Sequence, residues 1–353
     1  MGAHRHRTEN ALISWADLKN KFLFFLIFGL AIAAALAVYA DLSRMMAALA
    51  RFRWEVLPLV LGFTLFNYAL RWVKWDYYLS QIGATETGSF ASPPKLRPGD
   101  GETNSGQVSK ADSLIIFVSG FTMVLTPGRV GELLKSYLLR QADGIPISRS
   151  APIVLAERLT DLLAMILLAS AGLVAYRYGW QVMALVLASM LAFVALVQIR
   201  PLALRLLDWG EDLPLIARFI RSLHQFYESS YQLLSLKNLL IAVGLSVISW
   251  GGECVALYII MVGLGLAATP TLLLQASFAF ASSSVLGAVS FLPGGLGVTD
   301  ASLTGLLLLM GITKDRAVAA TLLIRLCTLW FGVGLGLATL FAFRKRFEGH
   351  DQD

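Results

Sequence analysis

Two short stretches place charge where an apolar chain should have none. In VLTPGRVGELLKSYLLR (124–140), a proline, two glycines, an arginine and a glutamate fall within residues 127–132, straight after the apolar run SLIIFVSGFTM. The second stretch, SFLPGGLGVTD (290–300), repeats the order apolar-x-Pro-Gly-x-x-Gly and then an acid. Arg158 follows Pro127 by 31 residues and Arg325 follows Pro293 by 32, each on a long apolar helix. Matched spacing of this kind reads as a duplicated unit. Pro127 and Pro293 remove a backbone donor and stop a helix, while Gly128, Gly131, Gly294, Gly295 and Gly297 permit the turn. Each turn is expected to open a new helix, whose free N–H groups and partial positive charge suit an anion, phosphate above all.

The side chains around these turns point to the same chemistry. Ionisable groups at membrane depth cost at least a few kcal/mol each and mark substrate or ion sites. Here they are Arg71, four residues after the polar Asn67, then Arg129, Glu132 and Lys135, Glu157, Arg158 and Asp161, and finally Glu253, Asp300 and Arg325. Guanidinium offers paired planar donors and keeps its charge, so Arg129, Arg158 and Arg325 are the foremost phosphate ligands. Glu132, Glu157, Asp161 and Glu253 are suited to hold those arginines when no ligand is bound, or to carry a proton. Arg71, Lys74 and Lys135 sit where snorkelling to the inner interface is a sufficient account. Lys135 therefore ranks second as a ligand, and Asp300, with the shorter acidic side chain, is ranked beside it. Structural salt-bridging is the competing reading for each acid.

Such residues need a scaffold of long helices. The chain is 57% hydrophobic and only 15% charged, against about 25% charged in a soluble domain. Several apolar runs reach the roughly 20 residues a bilayer core requires. The spans read as 22–40, 55–79, 151–176, 180–199, 239–262 and 317–343, with broken segments at 111–140 and 270–311. The expected fold is an all-α polytopic membrane protein of six crossing helices plus two re-entrant broken-helix hairpins in an inverted repeat. Its parts are an N-terminus (1–21), a first half (22–199) with a disordered loop (85–110), an amphipathic linker (200–237), a second half (238–343) and a tail (344–353). Lys and Arg gather in the N-terminus, the loop, the linker and the tail, so the positive-inside rule places both termini in the cytoplasm. A bacterial inner membrane is the expected location.

Cys254 and Cys327 lie in apolar helices and read as packing residues. The four histidines (His4, His6, His224, His350) all fall outside the spans, and no Asp/Glu cluster has metal-ligand spacing. No metal, cofactor or catalytic residue is expected, nor is nucleic acid as a partner. No G-x-x-x-x-G-K-[ST] motif occurs.

The combination TPGRVGELLKSYLLR, AERLTD, PGGLGVTDASL and RLCTLW resembles the lysylphosphatidylglycerol synthase transmembrane-region family, also called flippase-like or UPF0104. The resemblance implies lipid translocation and covers nearly the whole chain. It falls on Pro127, Gly128, Arg129, Gly131, Glu132, Glu157, Arg158, Asp161, Pro293, Gly294, Gly295, Gly297 and Arg325. Asp300 stands where glutamate is common, and Lys135 where arginine is frequent. The soluble aminoacyl-transfer domain of the synthase is not present in this sequence, so synthesis of the lysyl-lipid is not expected. The expected activity is a flippase for a phosphate-headgroup lipid, a phospholipid or a polyprenyl-phosphate glycolipid. A small-solute secondary transporter and an intramembrane lipid-phosphate enzyme are the alternatives. Lipid-modifying or glycosyltransferase enzymes and a second copy of the chain are the partners considered.

Overall fold

A computed structural model describes residues 42–84, 108–126, 131–173 and 220–343, with isolated helical residues between 27 and 38 and between 181 and 198. The N-terminus, most of the first and fourth expected spans, the loop at 85–107, Pro127, Gly128, Arg129, the linker at 200–219 and the C-terminal tail lie outside the described residues. Among the described residues there is no β-strand.

The chain forms α1 (Leu42–Ala50), α2 (Leu57–Gln81), α3 (Lys110–Ser119), α4 (Leu134–Asp143), α5 (Ile147–Leu173) and α6 (Ile220–Leu233). It continues as α7 (Leu236–Gly263), α8 (Pro270–Val289), α9 (Val298–Leu309), α10 (Lys314–Arg325) and α11 (Phe331–Ala342). Among the described residues, four stretches are long and apolar enough to cross a membrane: Trp54–Gln81, Leu236–Gly263, Pro270–Val289 and Lys314–Ala342. With 27 residues, α5 is also long enough at about 1.5 Å per residue, although three charged residues stand near its middle.

The helices start and stop for local reasons. Ser109 caps α3 by accepting from Asp112 N at 3.1 Å, and Thr269 caps α8 by accepting from Leu272 N at 3.1 Å with Pro270 at the first position. Gly144, at φ 69°, ends α4 in the left-handed conformation. Between α10 and α11 the helix widens into one π turn, Leu326–Trp330. Tyr68 Oη donates to Thr328 O in that turn at 2.5 Å, giving a loosened carbonyl a partner.

The bundle packs α2 against α7, α5 against both α7 and α8, and α6 along α5. The amphipathic linker is thus represented by α6, whose end joins the bundle through Gln232 Nε2 donating to Gln81 O at 2.5 Å. At the second broken segment α8 and α9 pack on each other, and α11 packs on α3 and on the 3-10 turn Gly120–Met123 that extends it. Gly336 makes that last approach possible: a Cβ there would lie 2.9 Å from Thr122 N and 3.0 Å from Val118 O. Leu125 and Leu296, one beside each Pro-Gly motif, bury together with Leu329 and Val333. The two broken segments therefore meet.

In lipid, helix association depends on close packing and polar contacts, because lipid tails are as apolar as leucine. Gly336→Ala is expected to destabilise the purified protein by about 1–3 kcal/mol through overpacking against backbone. Gly334, which has nothing within 4 Å of a Cβ, is the control, and Gly334→Ala should leave the thermal unfolding midpoint in detergent unchanged or higher. Equal midpoints for the two variants would remove the close-approach account.

Candidate functional site

The site grows from a polar seam between α2 and α7. On α2, Thr64, Asn67, Arg71 and Lys74 follow at intervals of three and four residues, and Ser246, Ser249 and Glu253 do the same on α7. Both sets fall on one helix face. Thr64 Oγ1 donates to Glu253 Oε2 at 3.4 Å, Asn67 Nδ2 donates to Ser249 Oγ at 2.8 Å, and Lys74 Nζ donates to Ser246 Oγ at 2.7 Å. The rungs run up one helix and down the other, so the two helices are antiparallel.

Other pairs bring in the remaining elements. Lys74 Nζ also meets Asp161 Oδ1 on α5 at 2.5 Å, and Ser246 donates to the same oxygen at 2.9 Å. Lys135 on α4 pairs with Glu157 on α5, its ammonium 4.3 Å from the centre of the Trp75 ring. Arg158 reaches Glu132, just past the first break, at 2.5 Å. Lys74 and Lys135 do not snorkel. Both are buried, at 1% and 3% exposure, because buried acids hold them inside.

The second break is built around Asp300 and Arg325. Gly294, Gly295 and Gly297 have φ of 59°, 65° and 82°, conformations that a side chain disfavours. Asp300 Oδ2 accepts from Gly297 N at 2.8 Å and caps α9. Arg325 donates to Gly294 O at 3.0 Å. Its Nε lies 2.8 Å from Asp300 Oδ1 but off the N–H axis, a charge contact rather than a hydrogen bond. The helix N-terminus expected to receive a phosphate thus already has a carboxylate of its own. A Cβ on Gly287 would lie 1.9 Å from Thr299 Oγ1, so α8 is pressed against this turn.

These elements enclose a cavity of about 490 Å³, within the range of small-ligand sites. Asn67, Arg71, Arg158, Asp161, Glu253 and Arg325 supply its polar wall. Six of the nine residues expected to bind substrate thus converge. Glu132 and Glu157 stand behind them as partners of Arg158 and Lys135, and Arg129 lies outside the described residues. Phe121, Trp250 and Phe280 add aromatic surface. Sequence reasoning did not select Thr64, Ser246, Ser249 or Trp250, although the matched three-four spacing on α2 and α7 was a usable signal.

The sequence profile of the family described as the lysylphosphatidylglycerol synthase TM region matches residues 26–336. The chain belongs to that family. A UPF0104 membrane protein of Methanothermobacter thermautotrophicus is 22% identical over 350 residues, covering 91% of this chain and 92% of the relative. A UPF0104 membrane protein of Methanocaldococcus jannaschii is 27% identical, covering 64% of this chain and 95% of the relative. No solved structure matches. Membership agrees with the resemblance drawn from the two Pro-Gly motifs and the arginine helices.

Removing one partner of a buried ion pair strands the other, typically at about 3–5 kcal/mol, whereas replacing both with apolar groups is often neutral. Lys74→Met and Asp161→Leu are each expected to destabilise the protein by that order. The double variant should recover most of the loss. Additive losses in the thermal midpoint would show that the two residues do not act as a pair.

Proposed function

We propose that this membrane protein moves a lipid with a phosphate headgroup across the bilayer, the headgroup passing through the cavity while the tails stay in lipid. The observation that carries the reading is the contrast between the cavity's wall and its rim. The wall holds three arginines and two acids, while the rim includes Leu155, Val289, Phe291 and Leu292. Phe291 is 72% exposed at the tip of the second break. A ligand half ionic and half hydrocarbon fits such a boundary; a free solute has no use for a rim of exposed apolar side chains.

Family membership supports the membrane setting. In this reading the two broken segments are re-entrant hairpins of an inverted repeat whose site lies at the repeat interface, the arrangement of many secondary transporters. Irregular backbone persists at membrane depth only where protein or a wet cavity satisfies it. The bonds to Gly294 O and Gly297 N meet that condition. The distribution of Lys and Arg supports a topology with both termini on the cytoplasmic side. The protein is read as a transporter, without catalytic residues, driven by an ion gradient or by the lipid gradient.

The test is reconstitution of the purified chain in liposomes with a phospholipid labelled on its acyl chain. Dithionite bleaches only the outer leaflet. Protein should expose the protected inner fraction, and Phe291→Asn should slow this by up to about tenfold, the scale of one aromatic side chain's burial. Asn accepts the positive φ of that position (55°), so the variant is expected to fold. A protected fraction identical to that of empty liposomes, with folded protein present, would overturn the reading. Release of trapped inorganic phosphate without lipid movement would replace it with solute transport.

A further inference from the structure

Charge pairing in the site leaves a remainder. Of the five basic residues, Lys74 pairs with Asp161, Lys135 with Glu157, Arg158 with Glu132 and Arg325 with Asp300. Arg71 and Glu253 are left, one of each sign, and among the described residues no ion pair joins them to each other or to anything else. Both are buried, at 8% and 1% exposure, and both line the cavity.

Their surroundings differ in kind. The Arg71 guanidinium lies 5.5 Å from the centre of the Phe121 ring and 5.4 Å from that of Trp250, and its Nε has no hydrogen-bond partner. Two ring faces favour a cation but supply no acceptor for its N–H groups. Among the described residues, Glu253 receives only the Thr64 hydroxyl, at a long 3.4 Å. An uncompensated charge in such a place is costly, and every other charge of the cluster has been given a partner.

We propose that Arg71 and Glu253 form a split-charge subsite for a zwitterionic headgroup: Arg71 takes the phosphate and Glu253 takes a primary ammonium. The inference rests on the reading of a phosphate-headgroup ligand and narrows it. A purely anionic headgroup would satisfy Arg71 and then place a second negative charge in the cavity with Glu253. A headgroup carrying both charges satisfies both residues and adds no net charge. It can also do so without breaking any of the four existing pairs, whereas phosphate binding by Arg158 or Arg325 would compete with Glu132 or Asp300.

The experiment incubates the purified chain with mixed micelles of phosphatidylethanolamine and phosphatidylglycerol in equal amounts, and measures the retained lipids by mass spectrometry. Wild type should retain phosphatidylethanolamine roughly tenfold over phosphatidylglycerol, the scale of one hydrogen bond to a charged group. Glu253→Gln should bring the ratio to about one or below, by loss of that bond. Arg71→Gln should lose both lipids, and Arg71→Lys, which keeps the charge, should restore part of the binding. Unchanged elution and thermal midpoint serve as the check on folding, and a variant that fails it is replaced by Trp250→Leu, which removes one ring face beside Arg71 and should weaken both lipids. Preference for phosphatidylglycerol in wild type, or an unchanged ratio in Glu253→Gln, would overturn the split-charge subsite while leaving the phosphate-lipid reading in place. Retention of neither lipid above an empty-micelle control would overturn both.

Discussion

Burying an ion in a medium that cannot solvate it is the constraint on which this structure turns. Each charge at membrane depth costs at least a few kcal/mol, and the cost is met by pairing across elements rather than within them. Lys74 with Asp161 ties α2 to α5, and Lys135 with Glu157 ties α4 to α5. Arg158 with Glu132 ties α5 to the first break, and Arg325 with Asp300 ties α10 to α9. Apolar packing alone specifies little in lipid, since any apolar face can be covered by acyl chains. A buried ammonium without its carboxylate has no such alternative. The pairs therefore choose among packings that leucines would leave almost degenerate.

The two breaks are the backbone's version of the same problem. A turn inside a bundle frees N–H and C=O groups that must find partners. At the second break the same residues that settle the charges also settle the backbone: Asp300 takes Gly297 N, and Arg325 takes Gly294 O. The same two side chains thus settle charge and backbone together, which explains why an acid follows the turn closely and an arginine follows much later. The first break pairs Glu132 with Arg158 across 26 residues, against 25 for Asp300 and Arg325. Equivalent chemistry at equivalent spacing is what the sequence repeat encodes.

Much of this was legible in the sequence. Composition and run length gave an all-helical membrane protein, and the paired Pro-Gly motifs gave the family. Charged residues in apolar helices pointed to the cavity wall, since Arg71, Asp161, Glu253, Arg158 and Arg325 all line it. What could not be read was pairing. Lys74 and Lys135 look like interface residues because a lysine near a helix end can snorkel, and only the opposing acids of α5 decide otherwise. Hydroxyls such as Ser246 and Ser249 carried no alarm, because serine commonly satisfies itself within its own helix. From sequence, the helix N-terminus after the second turn reads as open to an anion. The side chain three residues on supplies one, a local cap that sequence alone leaves as one option among several.

The pairing pattern also bears on how a site of this kind can work. An arginine already joined to a buried carboxylate gains little from a second anion, because the carboxylate it releases is left stranded in a low-dielectric interior. Such residues are well placed to hold the broken segments in one arrangement and poorly placed to capture a ligand first. Capture falls to charges whose partners were withheld. A cavity walled only by complete pairs would be stable and inert, and one walled by several unpaired ions would collapse or fill with counter-ions. One basic and one acidic residue outside the four pairs, Glu253 beside the Thr64 hydroxyl and Arg71 beside the rings of Phe121 and Trp250, is the arrangement that leaves the cavity something to bind.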